Sequence, residues 1–199
     1  MKTSITLSKV LFKSLFLAFV FVFTSCEKEA VPEDIQAVDA STKASPASQK
    51  SDKSIVAIAE DDGRFTLLLA ALEYTDLKDI FENGTDQYTV FAPTDDAFIA
   101  LLGEDIDLNS LDPAFLANIL TYHVTEGRRF SNSVLGKNNW KEIETLQGSN
   151  IYINSTGGID TNDADMQVDS AILVEAGLFD IAASNGVIHV INKVLIPEE

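Results

Sequence analysis

Two imidazoles, one thiol and a crowded run of acids are the groups in this 199-residue chain from which a reactive site could be built. His123 and His189 are the only histidines, and each is embedded in apolar sequence. In such surroundings an imidazole is more often a core residue with both ring nitrogens hydrogen-bonded than a general base or a metal ligand. A Ser-His-Asp triad draws its members from distant positions, so one sequence does not exclude it. No Gly-x-Ser-x-Gly elbow is present, however, and hydrolysis stands third among the possible functions. The one cysteine, Cys26, forms no internal disulfide, and with two histidines it makes a poor zinc set. Asp160, Asn162, Asp163, Asp165 and Asp169 have the composition of a calcium loop. Counted from Asp160, though, the fifth position is Ala164 and the sixth is Asp165, where a twelve-residue loop requires glycine. A solvated acidic loop is the expectation there, with no metal, no cofactor and no catalytic residue.

Binding chemistry has one conspicuous candidate, the lone Trp140 among Asn138, Asn139 and Lys141. The polar neighbours suit an exposed indole, which stacks on sugars or anchors an interface, but a half-buried core role fits the sequence equally well. Charge narrows the partners. Thirty-one acids oppose 14 bases, a net charge of −17 that becomes −20 without the first 25 residues, which carry three lysines and no acid. Such a surface repels phosphate backbones, which excludes nucleic acid and leaves neutral glycans or basic surfaces.

The elements around these groups begin with an address. Residues 1–13 are basic, and 15–23 form an unbroken apolar run, too short to span a bilayer and arranged like a secretory signal. Phe23-Thr24-Ser25-Cys26 resembles the lipobox of bacterial lipoproteins, in which the cysteine becomes the lipid-modified first residue; otherwise Cys26 is an ordinary thiol beside a plain cleavage site. Glu27-Lys28-Glu29 resembles the short tag that sends Bacteroidota-type lipoproteins to the outer face of the outer membrane. The expected organisation is a signal peptide over 1–25, lipidated Cys26 with a disordered Ala/Ser/Lys/Glu-rich tether over 26–52, and one domain over 53–199.

Within that domain the front half is helical. Ile55, Ile58 and Ala59 mark a short helix, and Phe65, Leu68, Leu69 and Leu72 share one face of a second. Leu77, Ile80 and Phe81 belong to a third. Asp112-Pro113 opens another with Phe115, Leu116, Ile119 and Leu120 on one face. The back half changes to short apolar runs around Ile143, Leu146, Ile151, Ile153, Ile159 and Val168, broken by turn residues, and 187–196 has the composition of a strand buried on both faces. Helices followed by strands predict an α+β domain with a mostly antiparallel sheet. Tyr88-Thr89-Val90-Phe91-Ala92-Pro93-Thr94-Asp95-Asp96-Ala97-Phe98 reads as a strand ended by proline, then a helix capped by Thr94 with Asp95 in its first turn. Asn185-Gly186 reads as a positive-φ turn leading into the last strand, whose own imidazole is His189.

Those last two segments resemble the two signatures of the fasciclin domain, and Tyr122-His123 matches the dipeptide found between them. Asn192 stands where that family usually has aspartate, and 175–179 is a few residues longer than the common connection. The resemblance implies helices packed on a small β-sandwich-like sheet and an extracellular adhesion role without chemistry. Animal members carry integrin-reading peptides whose matching positions here are Asp180 and Ile181, and Tyr122 and His123. The animal peptide's acidic and proline neighbours are replaced by Leu178 and Phe179, which weighs against an integrin. The leading expectation is a lipid-anchored module at the outer membrane that binds a surface or matrix protein or a glycan, as a monomeric domain. Its candidate contacts are Asp180, Ile181, Tyr122 and Trp140, with Thr94, Asp95, His123, Asn185, Gly186 and His189 as structural motif residues. A structural or accessory subunit of an envelope assembly is the second reading.

Overall fold

The computed structural model describes residues 51–105, 107–161 and 166–197. The predicted export signal, Cys26 and all but the last two residues of the predicted tether lie outside the described residues, as do the acids at 163 and 165.

Side-chain caps start the helices that the sequence marks most clearly. Ser54 accepts from the Ala57 N–H at 3.2 Å and opens α1 (Ile55–Asp62). Asp112 accepts from the N–H groups of Ala114 and Phe115 at 2.7 and 3.2 Å and opens α5 (Pro113–Tyr122), with proline where its missing N–H costs nothing. Between them lie α2 (Thr66–Tyr74), α3 (Lys78–Asn83), β1 (Tyr88–Pro93), α4 (Asp95–Leu102) and a 3₁₀ turn (Leu108–Ser110). After them come β2 (Val124–Glu126), the one-turn α6 (Ser131–Val134), β3 (Lys141–Glu144), β4 (Asn150–Ile153), β5 (Gly158–Asp160), β6 (Ser170–Ala171), β7 (Ile181–Ala183) and β8 (Gly186–Ile191). On α5, Leu116, Ile119 and Leu120 are buried, whereas Phe115, expected beside them, is 51% exposed. It lies roughly 100° around the helix from Leu116, at the margin of the apolar stripe.

The strands form two four-stranded sheets, in the orders β2-β1-β8-β7 and β3-β4-β5-β6, joined by a bridge between Ile172 and Ile191. The second sheet is antiparallel as expected. The first is mixed, because its central pair, β1 and β8, runs parallel from Tyr88↔Gly186 to Pro93↔Ile191. Parallel partners require a crossover, and here the crossover is most of the domain. The two sequence signatures therefore lie side by side at the centre of the fold.

Alternation along these two strands divides the core. Val90 and Ala92 of β1, with Ile188 and Val190 of β8, face a cluster made with Val56, Phe65, Leu68 and Leu72 of the helical layer. Phe91 and Ile191 face the opposite way, into a second cluster with Ile143, Ile151, Ile153 and Ile159 of the other sheet, whereas Leu146 and Val168 of the same apolar runs stay exposed. All six residues of β8 are buried, as a strand covered on both faces must be.

Four motif residues work differently from the sequence expectation. Thr94 sits at the N-cap of α4 with extended backbone, but its side chain makes no capping bond; its carbonyl accepts from Ala97 and Phe98 instead. Asp95 does lie in the first turn of α4, yet its carboxylate caps α2, accepting from the Thr66 and Leu67 N–H groups at 3.2 and 2.8 Å and from the Thr66 hydroxyl at 2.6 Å. The β7–β8 turn is Ser184-Asn185 rather than Asn185-Gly186, and neither Asn185 nor Gly186 is among the positive-φ residues. Glycine at 186 answers a close approach: a Cβ there would stand 2.2 Å from the Tyr88 carbonyl oxygen. Asn185 is a buried clamp, donating to the Phe81 carbonyl at 2.7 Å and accepting from the Ile55 N–H at 2.9 Å.

Candidate functional site

Both histidines are buried, with both ring nitrogens engaged. His123, the C-cap of α5, is 2% exposed. Its Nδ1–H donates to the Ile119 carbonyl at 2.8 Å, and its Nε2 accepts from the Leu195 N–H at 2.8 Å. Burial pushes its pKa down to about 4, so the ring is neutral at physiological pH. His189 holds the opposite tautomer. Its Nε2–H donates to the Arg129 carbonyl at 2.9 Å, its Nδ1 accepts from the Asp180 N–H at 3.3 Å, and its ring stacks on Phe91 with centroids 5.7 Å apart. Burial lowers its pKa as well, against the pull of the Asp180 carboxylate 3.9 Å from Nδ1.

Ser131, Asp180 and His189 are the members of a triad assembled in the wrong order. Asp180 takes Ser131 for itself, accepting from its N–H at 2.5 Å and its hydroxyl at 2.6 Å. The imidazole nitrogen that would have to activate a serine is spent on the Arg129 carbonyl. A nucleophile bonded to the carboxylate instead of the base gains no nucleophilicity. The cluster is a brace. Thr89 extends it, donating to the Gly127 carbonyl at 2.6 Å and accepting from the Arg129 N–H at 2.8 Å, so residues 127–131 are held on the central strands.

This burial removes two candidate contacts from reach of a partner. Tyr122 is 1% exposed, its hydroxyl donating to the Asn150 carbonyl at 3.0 Å. Asp180, 9% exposed, is consumed by Ser131. Its left-handed backbone, φ 56°, aims its N–H at His189. Ile181 is partly buried against the helical core. In the acidic stretch Asp160 is fully buried rather than solvated, and Asp169 accepts from the Thr161 N–H and hydroxyl at 2.9 and 2.8 Å. Among the described residues no three His, Cys, Asp or Glu side chains gather as metal ligands.

Trp140 is half-buried, and it lines a surface groove of about 640 Å³ with Asn132, Leu135, Lys137 and Asn139. The groove floor is tied down. Val134 is fully buried, the Gly136 N–H donates to the Ile153 carbonyl at 3.2 Å, and a Cβ on Gly136 would stand 2.0 Å from the Asn139 carbonyl oxygen. The sequence marked Trp140 but not this groove, because α6 is too short to show a helical period.

Residues 63–197 match the model of the fasciclin domain. The chain belongs to the fasciclin-domain family. A Synechocystis protein described as uncharacterised (sll1735) is 35% identical over 143 residues, 72% of this chain and 97% of its own length. Human periostin is 33% identical across 74% of this chain, which corresponds to only 16% of periostin. The immunogenic protein MPB70 of Mycobacterium bovis is 31% identical over 74% of this chain and 70% of its own. A solved fasciclin-domain pair from the insect cell adhesion molecule fasciclin I superposes with a TM-score of 0.51 at 15% identity, covering 72% of this chain and 51% of that one. That likeness shows the α+β fasciclin fold. In this fasciclin domain Asn192, which replaces the usual aspartate, accepts from the Ala171 N–H at 2.8 Å and joins the last strand to the second sheet.

Proposed function

We propose that this chain is an exported, lipid-anchored recognition module that binds a surface or matrix protein or a glycan and performs no chemistry. The observation that carries this reading is the state of the two imidazoles: both are buried, neutral and bonded at both nitrogens, so neither is available as a base. Membership of the fasciclin family supports it, as does the description of the solved insect relative as a cell adhesion molecule. The lipobox-like segment ending in Cys26 supplies the anchor, and a Bacteroidota-type tag after it would carry the domain to the outer face of the outer membrane. With Tyr122 and Asp180 buried, the accessible contact surface centres on Trp140. A single domain binds weakly, and many anchored copies together supply avidity.

The test displays the chain at high density on beads over arrays of glycans and matrix proteins, beside Trp140→Ala. Attachment by wild type that the variant loses supports the reading. The second reading, a structural subunit of an envelope assembly, is favoured by α4, which leaves Ile99, Leu101 and Leu102 at 37, 41 and 39% exposure. Beads that attach to nothing, together with envelope defects in cells lacking the gene, would put that reading in place of the first.

A further inference from the structure

We propose that the Trp140 groove binds a polysaccharide bearing carboxylates, a uronic-acid glycan. The inference rests on the recognition reading above and specifies its ligand. It reverses the expectation drawn from whole-chain charge, because the charge balance of the groove lining is opposite in sign to that of three other surface depressions. Its lining holds two lysines, Lys137 and Lys141, and no acid. In three other surface depressions acids outnumber bases: Glu73, Asp76, Asp79 and Glu82 against Lys78 in one, Glu126 and Glu144 against Arg129 in another, and Asp86 and Glu126 with no base in the third. Strand alternation contributes to this. Lys141 opens β3 on one face while Glu142 and Glu144 point to the other, and Glu142 is occupied by the Asn150 amide at 2.5 Å.

Neither lysine is neutralised. The side-chain ion pairs among the described residues involve Lys53, Arg64, Lys78 and His189. At physiological salt the screening length is about 8 Å, so a ligand in the groove feels these two charges more than the acids that lie beyond that length. The polar groups are uncommitted too. The side-chain amides of Asn132, Asn138 and Asn139 make no hydrogen bond within the described structure, a state shared outside the groove by exposed Asn118, whereas those of Asn83, Asn109, Asn150, Asn154, Asn185 and Asn192 are engaged. An indole for the apolar face of a sugar ring, free amides for hydroxyls and ammonium groups for carboxylates, on a braced floor, are what an acidic saccharide requires.

Trp140 is the chain's only tryptophan, so its fluorescence reports on this groove directly. The experiment titrates the full exported chain, in detergent, with polyuronate oligosaccharides at 0.15 M salt. Parallel titrations use neutral β-glucan oligosaccharides, a sulfated glycan and polyglutamate. Saturable change in Trp140 emission is expected with the uronates, with neutral oligosaccharides and polyglutamate weaker. Lys137→Ala combined with Lys141→Ala should weaken uronate binding about fivefold. Trp140→Phe, followed by calorimetry, should retain most of the affinity that Trp140→Ala loses. Folding of each variant is checked by circular dichroism. Equal binding of neutral sugars with no effect of the lysine changes overturns the acidic-ligand inference and leaves recognition standing. Equal binding of polyglutamate reduces the site to nonspecific charge attraction and overturns it too. No saccharide binding while array proteins still attach overturns the groove but not the module, and no attachment of any kind overturns both.

Discussion

His123 should make the fold sensitive to mild acid, and the size of the effect follows from its burial. In the unfolded chain the ring takes a proton near pH 6.5; in the folded domain burial holds its pKa down to about 4. Above 6.5 both states are neutral and nothing depends on pH. Between 6.5 and about 4 only the unfolded chain takes the proton, so stability falls as pH falls, by about 1.4 kcal/mol per pH unit, and levels off below the folded value. The whole interval is worth on the order of 3 kcal/mol, a large part of the about 5–15 kcal/mol of an ordinary domain. His189 is shifted in the same direction and steepens the loss. Urea unfolding followed through Trp140 emission from pH 7.5 to 4.5 measures the slope. His123→Gln keeps an acceptor within reach of the Leu195 N–H and removes the titration. It should be less stable at pH 7.5, by about 1–3 kcal/mol, with a slope shallower by about one proton. Equal slopes in both proteins would refute the argument. So would His123 ring signals that titrate near pH 6.5 in NMR spectra of the wild type, a measurement that does not depend on the variant folding.

Other substitutions test the framework. Gly186→Ala should destabilise by about 3 kcal/mol or more, because its Cβ meets the Tyr88 carbonyl oxygen and must push the central parallel strands apart. Gly63→Ala, where φ is +73° and the space is open, should cost only about 1–2 kcal/mol in the same thermal-melt series. Asp95→Ala should cost about 1–2 kcal/mol and raise amide exchange at Thr66 and Leu67 in α2; raised exchange confined to α4 would show that its effect is on its own helix. Asp180→Ala should loosen residues 127–131, read as faster exchange at the Ser131 amide, with little change in the helical layer.

The sequence made legible what is local and periodic. The Asp112-Pro113 start, the apolar stripe of α2 and the doubly buried β8 are each written within about ten residues, and the structure contains all three. Much of what was not legible is long-range. Asp95 looks like a first-turn acid of α4, but its carboxylate reaches α2, 28 and 29 residues earlier. Asn185 looks like a turn residue, and its side chain clamps positions 130 and 104 residues away. Asp180 is a candidate contact through the family resemblance alone, and only the tertiary placement of Ser131 and His189 explains its burial. The parallel sense of β1 and β8 is invisible for the same reason: an apolar strand has the same composition in either direction.

The polar residues on the inner face of the central strands explain how a buried candidate can still bear on recognition. An apolar pair in place of Thr89 and His189 would fill the space, but would leave the carbonyls of Gly127 and Arg129 and the N–H of Asp180 without these partners. Each buried group so abandoned costs about 1–3 kcal/mol. With the bonds made, residues 127–131 cross the sheet at a fixed height, and Asp180 fixes Ser131, the first residue of α6. The next residue, Asn132, is on the rim of the Trp140 groove. If the Trp140 groove is the recognition surface proposed above, Asp180 serves it by positioning rather than by contact. The bonds beneath the loop involve Thr89, Asp180 and His189 rather than its outward side chains, so substitutions at those outward positions leave the brace in place.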